Sequence, residues 1–242
     1  MLTTSFVNRP CCSRGVTTRS QPEAHATLAY AYFYDWNFPI AEAEFQKSIR
    51  LSPRYATAHQ WYAEYLRMMN RQQEAIVESE RALEIDPLSP IINDEAALSY
   101  YYLGKYDKAA AQLLRTIDLD PYFAVAHGHL CMVYDLTRKY REAVQECLAA
   151  KALGDAYWIE ASLACAYAHN GQRDKARIIL QTVHYSEIYL ALGNKEAAIA
   201  ELESSLLRHE PTLVGMRVDP HLAELRNDPR FQAMVHRIGI TG

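Results

Sequence analysis

The stretch "ERALEIDPLSP", Glu80 to Pro90, reads as the end of a helix: charged and apolar residues recur at helical spacing until Asp86-Pro87 stops the run. Nearly the same phrase recurs as "QKSIRLSP", ending at Pro53, and as "LRTIDLDP", ending at Pro121. The three prolines are 34 residues apart, twice in succession. A fixed period of that length is the mark of stacked helical hairpins, each unable to bury its apolar face without a neighbour.

With each proline at position 32 of its unit, units begin at Pro22, Ala56, Pro90 and Ala124. Position 8 is then Ala29, Ala63, Ala97 and Cys131; position 20 is Ala41, Ala75, Ala109 and Ala143; position 27 is Ser48, Ala82, Thr116 and Ala150. Small side chains at fixed places let two helices approach closely. Large ones at position 11 (Tyr32, Leu66, Tyr100, Tyr134) fill the space between neighbouring hairpins. In "YYLGKYDKAAAQLL", Tyr101 to Leu114, Gly104 can end the first helix and Tyr106 opens the second.

These residues resemble the tetratricopeptide repeat family, whose pattern has Ala at 20 and 27, Tyr at 11 and Pro at 32. The chain keeps Ala at 20 and Pro at 32 well, but position 24 is aromatic only at Phe45, then Ser79, Leu113 and Cys147. The phrases "ATAHQWYAEYL", "DPLSPIIN" and the "DPRF" tail further resemble the repeat region behind winged-helix, cyclase or kinase domains in bacterial regulators, over residues 23–240; no such effector domain is present. The resemblance implies an all-α, right-handed superhelical solenoid of about six hairpins with a C-terminal capping helix. The expected division is a disordered leader over 1–21, the array over 22–211 and a capping segment over 212–242.

A fifth unit is displaced by one residue, since Gly171 lies 67 after Gly104. Gly193 follows only 22 later, so the stretch Asp174 to Leu192 must hold either one long helix or a truncated hairpin. In the tail, Asp219-Pro220 and Asp228-Pro229 each read as a helix start, and Phe231, Met234, Val235 and Ile238 form an apolar stripe suited to a cap.

Composition limits the function. Half the residues are apolar and the formal charge is −4, which argues against a nucleic-acid surface over the whole chain. No apolar run approaches a membrane span. Residues 1–20 are rich in Ser, Thr and Arg without acids; they faintly resemble a transit peptide but read more simply as a disordered tail. The five cysteines include no CxxC pair, so neither a disulfide framework nor a zinc ribbon is expected, and a reducing, cytoplasmic setting is the default.

Chemistry is sought without a positive signal. His25, His59 and His127 share one repeat position; on successive hairpins they stand too far apart to share a zinc, and packing is the expected role. His127 and His129 point to different sides of a helix. Cys131 and Cys147 fall at core positions and read as small buried hydrophobes, while Cys165 has no base or acid fixed beside it. No phosphate-binding, nucleophile-elbow or zincin motif is present. No catalytic residue, metal or cofactor is expected.

Function is therefore expected on the concave face. The resemblance implies that positions 2, 5, 6, 9, 12 and 13 point into it: Tyr30, Phe33 and Tyr34 in the first unit, and Trp61, Glu64, Arg67 and Met68 in the second. Asp94, Glu95, Leu98, Tyr101 and Tyr102 follow in the third, His129, Met132 and Asp135 in the fourth, and Trp158, Cys165 and His169 in the fifth. Aromatic and Met side chains of this kind suit peptide recognition; the Tyr30 to Trp36 cluster can equally pack between hairpins, whereas Trp61, Tyr101 and Tyr102 are expected to face the groove. The family's carboxylate clamp is absent: Ala26, Tyr30, Trp61, Asp94 and Glu95 stand where its Lys, Arg and Asn would be, and the acids would repel an acidic chaperone tail. The expected activity is non-catalytic binding of a protein or peptide in the groove, with a regulatory or sensor module of a bacterial transcription or signalling system as the alternative.

Overall fold

The computed structural model describes residues 21–154 and 156–240; residues 1–20, the bulk of the expected leader, lie outside them. Five helices of 13 residues open the first five units: α1 (Pro22–Tyr34), α3 (Ala56–Met68), α5 (Pro90–Tyr102), α7 (Ala124–Leu136) and α9 (Tyr157–His169). Four helices of 14 residues return from the first four: α2 (Phe38–Leu51), α4 (Gln72–Ile85), α6 (Tyr106–Leu119) and α8 (Tyr140–Leu153).

Each opening helix ends at a left-handed residue in the same place: Trp36, Asn70, Gly104, Arg138 and Gly171. Glycine takes that conformation without a Cβ penalty at 104 and 171. At every turn the next amide reaches back along the helix, as from Lys105 N to the Tyr100 carbonyl at 2.9 Å and from Lys139 N to that of Tyr134 at 2.8 Å. This closure satisfies carbonyls that the helix end would leave bare.

The small positions are the hairpin seams. Ala29, Ala63, Ala97 and Cys131 are fully buried, and so are Ala41, Ala75, Ala109 and Ala143. Ala109→Leu is therefore expected to overpack the α5–α6 contact and to cost about 1–3 kcal/mol, read as a lower midpoint in thermal or urea melts.

The recurrent histidines have a more specific role than packing. His59 Nδ1 meets Glu78 at 2.6 Å and His127 Nδ1 meets Glu146 at 2.7 Å; His25 pairs with Glu44 in the same way. The third unit substitutes amides: Gln112 donates to Asn93 Oδ1 at 2.7 Å. On the other side, His59 Nε2 lies 3.2 Å from the Pro53 carbonyl, and Asn93 Nδ2 donates to that of Pro87 at 2.9 Å. In these units one side chain ties the opening helix to its return helix and to the proline turn before it.

The irregular stretch resolves into a truncated hairpin, α10 (Arg173–Leu180) followed by α11 (Ser186–Ala191), and α12 (Lys195–Leu207) completes the sixth unit. Cys131 and Cys147 are not free thiols; a disulfide joins α7 to α8 across a Cα–Cα distance of 5.3 Å, which corrects the expectation of isolated buried hydrophobes. Cys165 is free and buried. Among the described residues, no helix is long and apolar enough to cross a membrane.

Candidate concave interface

The inner face is built from α1, α3, α5, α7 and α9, and much of it is bonded to itself. Tyr30 and Tyr34 donate to Glu64 on the next hairpin, at 3.2 and 2.6 Å. Arg67 reaches forward to the Glu95 carboxylate, to its carbonyl at 3.1 Å and to Ser99 Oγ at 3.2 Å. His129 Nδ1 reaches back to Asp94 at 2.9 Å, and His169 Nδ1 to Asp135 at 2.9 Å. These bonds form a polar ladder between consecutive opening helices. It holds the pitch of the solenoid with residues that position alone assigned to a partner.

Burial sorts the expected site residues further. Phe33, Arg67, Met68, Asp94 and Tyr101 are all at most 7% exposed, so a partner cannot reach these side chains in this arrangement. Phe33 sits in an aromatic core with Phe38 and Tyr65. Tyr30, Tyr34, Trp61, Glu64, Leu98, Tyr102, His129, Met132 and Trp158 are half-buried. Trp61 packs on Tyr30 at a centroid distance of 4.7 Å, and Trp158 stacks on His129 at 4.9 Å. The Trp158 ring also lies over Gly128, where an added Cβ would stand 2.4 Å from the ring edge. Gly128→Ala, which in an open helix would stabilise by up to about 1 kcal/mol, is expected to destabilise here by about 1–3 kcal/mol in a chemical melt.

The reason the face is closed is the C-terminal segment. After α12 the chain turns at His209, whose φ is left-handed, and runs through two 3-10 turns, Pro211–Gly215 and Pro220–Leu225, before the capping helix α13 (Pro229–Ile238). The segment does more than cap the last unit: it lies in the trough. Tyr101 Oη is 3.0 Å from His221 Nδ1, and His221 Nε2 is 3.8 Å from Asp135. A Cβ on Gly215 would stand 3.2 Å from Met68 Sδ. The tail also returns to the first hairpin: Trp36 packs on His209 with tilted rings at 3.7 Å between centroids, and Leu213, Met216 and Leu222 join one core with Phe33 and Phe38. Asp219 caps a 3-10 turn rather than an α-helix, accepting from His221 N at 2.8 Å, whereas Asp228 caps α13 as expected.

Three cavities lie between the tail and the helices among the described residues; the first, of ≈ 540 Å³, is lined by Asn70, Tyr102, Arg217, Arg226 and α13, and the other two lie on the inner face. The second, of ≈ 520 Å³, is lined by Tyr34, Glu64, Tyr102, Tyr185, Glu187 and Asp219 among others. The third, of ≈ 200 Å³, is lined by Met132, Asp135, Trp158, Cys165, Glu187 and His221 among others. Burial, reinforced by Glu95, lifts the Glu64 carboxyl to about 7. Burial, reinforced by Asp219, does the same to Glu187. Burial alone would depress His129 and His221, but Asp94 beside the first and Asp219 with Asp135 beside the second raise both above the ordinary imidazole range. Burial pushes the Cys165 thiol well up, which makes it a poor nucleophile. Among the described residues, no His, Cys, Asp and Glu grouping can hold a metal ion.

Sequence reasoning missed Tyr185, Glu187, Asp219 and His221 as members of the inner face. The available signal was the tail's own composition: Leu213, Val214, Met216, Val218, Leu222 and Leu225 are more apolar than a linker to a cap requires, and all six are buried.

Repeated hairpins on a 34-residue period, sealed at identical turns and lining one trough, define a helical-repeat interaction protein. A tetratricopeptide repeat model matches residues 26–90 and 95–157, more than half of the chain, and the protein belongs to that family. Solved structures give the same fold. Pseudomonas aeruginosa pilF is 16% identical over 85% of this chain and 96% of its own, with a TM-score of 0.59. TTC0263, a thermophilic repeat protein from Thermus thermophilus, is 17% identical over 89% and 99%, with a TM-score of 0.57. A chain of the APC/C hetero-tetramer Cut9–Hcn1 is 17% identical over 92% of this chain and 43% of its own, with a TM-score of 0.65. No curated protein matches the sequence significantly.

Proposed function

We propose that the protein is a non-catalytic scaffold that binds a segment of a protein partner along its concave face. The observation that carries this reading is the ≈ 520 Å³ cavity between the inner helices and the tail, with tyrosine walls at Tyr34, Tyr102 and Tyr185 and carboxylates at Glu64, Glu187 and Asp219. Rings of this type give large contact area with little rotamer entropy to lose. The carboxylates of this cavity disfavour phosphate, which supports a protein segment rather than nucleic acid as its ligand. Tyr102 lines the cavity and Trp61 packs on Tyr30 in the neighbouring α1–α3 contact; both are half-buried, whereas Tyr101 is core and unsuited to the test.

Trp61→Ala combined with Tyr102→Ala is expected to lower affinity for a captured partner by at least tenfold while helical circular dichroism stays unchanged. Affinity capture with mass spectrometry identifies that partner. Calorimetric titration of the purified pair then reads the affinity change. Equal affinity in the double variant would move the working surface elsewhere.

A further inference from the structure

We propose that residues 210–228 are a displaceable internal ligand, so that a partner binds by replacing them and shares their chemistry: a short, turn-forming, aliphatic segment with a cationic or imidazole group near Asp135. The proposal rests on the groove reading above and adds to it the identity of the competitor and the kind of segment that wins.

Three features separate this segment from the array that holds it. Its backbone is organised by local i to i+3 bonds, as from Met216 N to Leu213 O and Leu222 N to Asp219 O, rather than by a continuous helical ladder. What seats it is side chains: Leu213, Val214, Met216, Val218, Leu222 and Leu225 enter the core, and His221 engages Tyr101 and Asp135. Moreover, its fit is incomplete, because the ≈ 520 and ≈ 200 Å³ cavities lie along its length. A tethered segment needs only modest contacts to occupy a site, since its effective concentration is of millimolar order. Segments held this way open at lower free energy than packed helices. The left-handed residue His209 and the Glu210-Pro211 step that follow α12 mark where it would swing out.

The bound segment also describes the partner. Its aliphatic side chains share one core with Tyr65, Leu66 and Met68 of α3, and the imidazole of His221 sits among Asp135, Asp219 and Glu187. A competing segment gains most by placing a positive group among those carboxylates.

The test uses the full chain and a fluorescein-labelled synthetic peptide of residues 209–227 as probe. In the wild type, hydrogen exchange of the 211–225 amides is expected to be at least tenfold faster than that of α3–α8. Leu222→Asp, or His221→Ala where an added charge harms folding, is expected to bind the peptide at least tenfold more tightly than the wild type. Adding Trp61→Ala and Tyr102→Ala to that variant should remove the gain. Exchange of 211–225 in step with α3–α8, or equal peptide affinity in wild type and variant, overturns the proposal and makes the tail a fixed part of the core. That result leaves the groove reading to its own test, because partner capture by Trp61→Ala and Tyr102→Ala is measured independently.

Discussion

Arg67→Ala is expected to cost about 3–5 kcal/mol, the range for breaking a buried ion pair from one side. Arg67 is 1% exposed, and its guanidinium serves the Glu95 carboxylate and carbonyl together with Ser99 Oγ. It also stands beside Glu64, whose charge it eases. Removing it leaves Glu95 without its cation, exposes Glu64 to Glu95 unshielded, and opens a cavity at the joint of the second and third hairpins. Lysine cannot rescue the site, because one ammonium cannot repeat three donations in a planar fork. Urea melts of Arg67→Ala, Glu95→Gln and the double variant provide the check. The double variant should be far less destabilised than the sum of the singles, since most of the cost is a stranded charge. A loss below about 1 kcal/mol in Arg67→Ala would show that the ladder does not hold the pitch.

The second large effect is a fall of stability as pH rises through neutrality. Glu64 and Glu187 titrate near 7 in the fold, above the ordinary glutamate value, chiefly because the fold strips water from these half-buried carboxyls. The folded state therefore binds their protons more tightly than the unfolded chain does. Their stabilisation is complete below the unfolded glutamate range, near about 4.3, and is lost as pH rises through about 7. His129 and His221, held above the usual imidazole value by their carboxylate neighbours, have the same sign: their contribution is present below about 6.5 and disappears above it. The protein is thus expected to melt several degrees higher at pH 6 than at pH 8. Glu64→Gln keeps an acceptor for Tyr34 without the charge. It is expected to raise stability at pH 8 by roughly 1–2 kcal/mol and to flatten the dependence. Thermal melts of both chains from pH 5.5 to 8.5 decide it; an unchanged slope in the variant would remove Glu64 from the account.

Most of the solenoid was legible because its determinants are local and repeated. Pro53, Pro87 and Pro121 mark the period, and the alanines of positions 8, 20 and 27 are the buried seams that spacing assigned them to be. The one-residue displacement at Gly171 shows as α9 starting 33 residues after α7. The inner face was less legible. Position named candidates for the inner side, but did not reveal that Glu64, Arg67, Asp94 and His129 would be satisfied across hairpins. Nor did it reveal that His59, Asn93 and His127 are one device in two chemistries, because the partners Glu78, Gln112 and Glu146 lie 19 residues away on the return helix.

By itself, the amino-acid order determined the repeat, the hairpin register and the all-helical architecture, since each depends on residues within one or two turns or at a constant separation. Only the tertiary structure decided what fills the trough, because Tyr101 and His221 are 120 residues apart and no period links them. The same holds for Cys131 and Cys147: their pairing follows from the approach of α7 and α8, which brings their Cα atoms to 5.3 Å. Curvature brought the tail back to the first hairpin, and curvature is a sum of small rotations that no single stretch of the chain records.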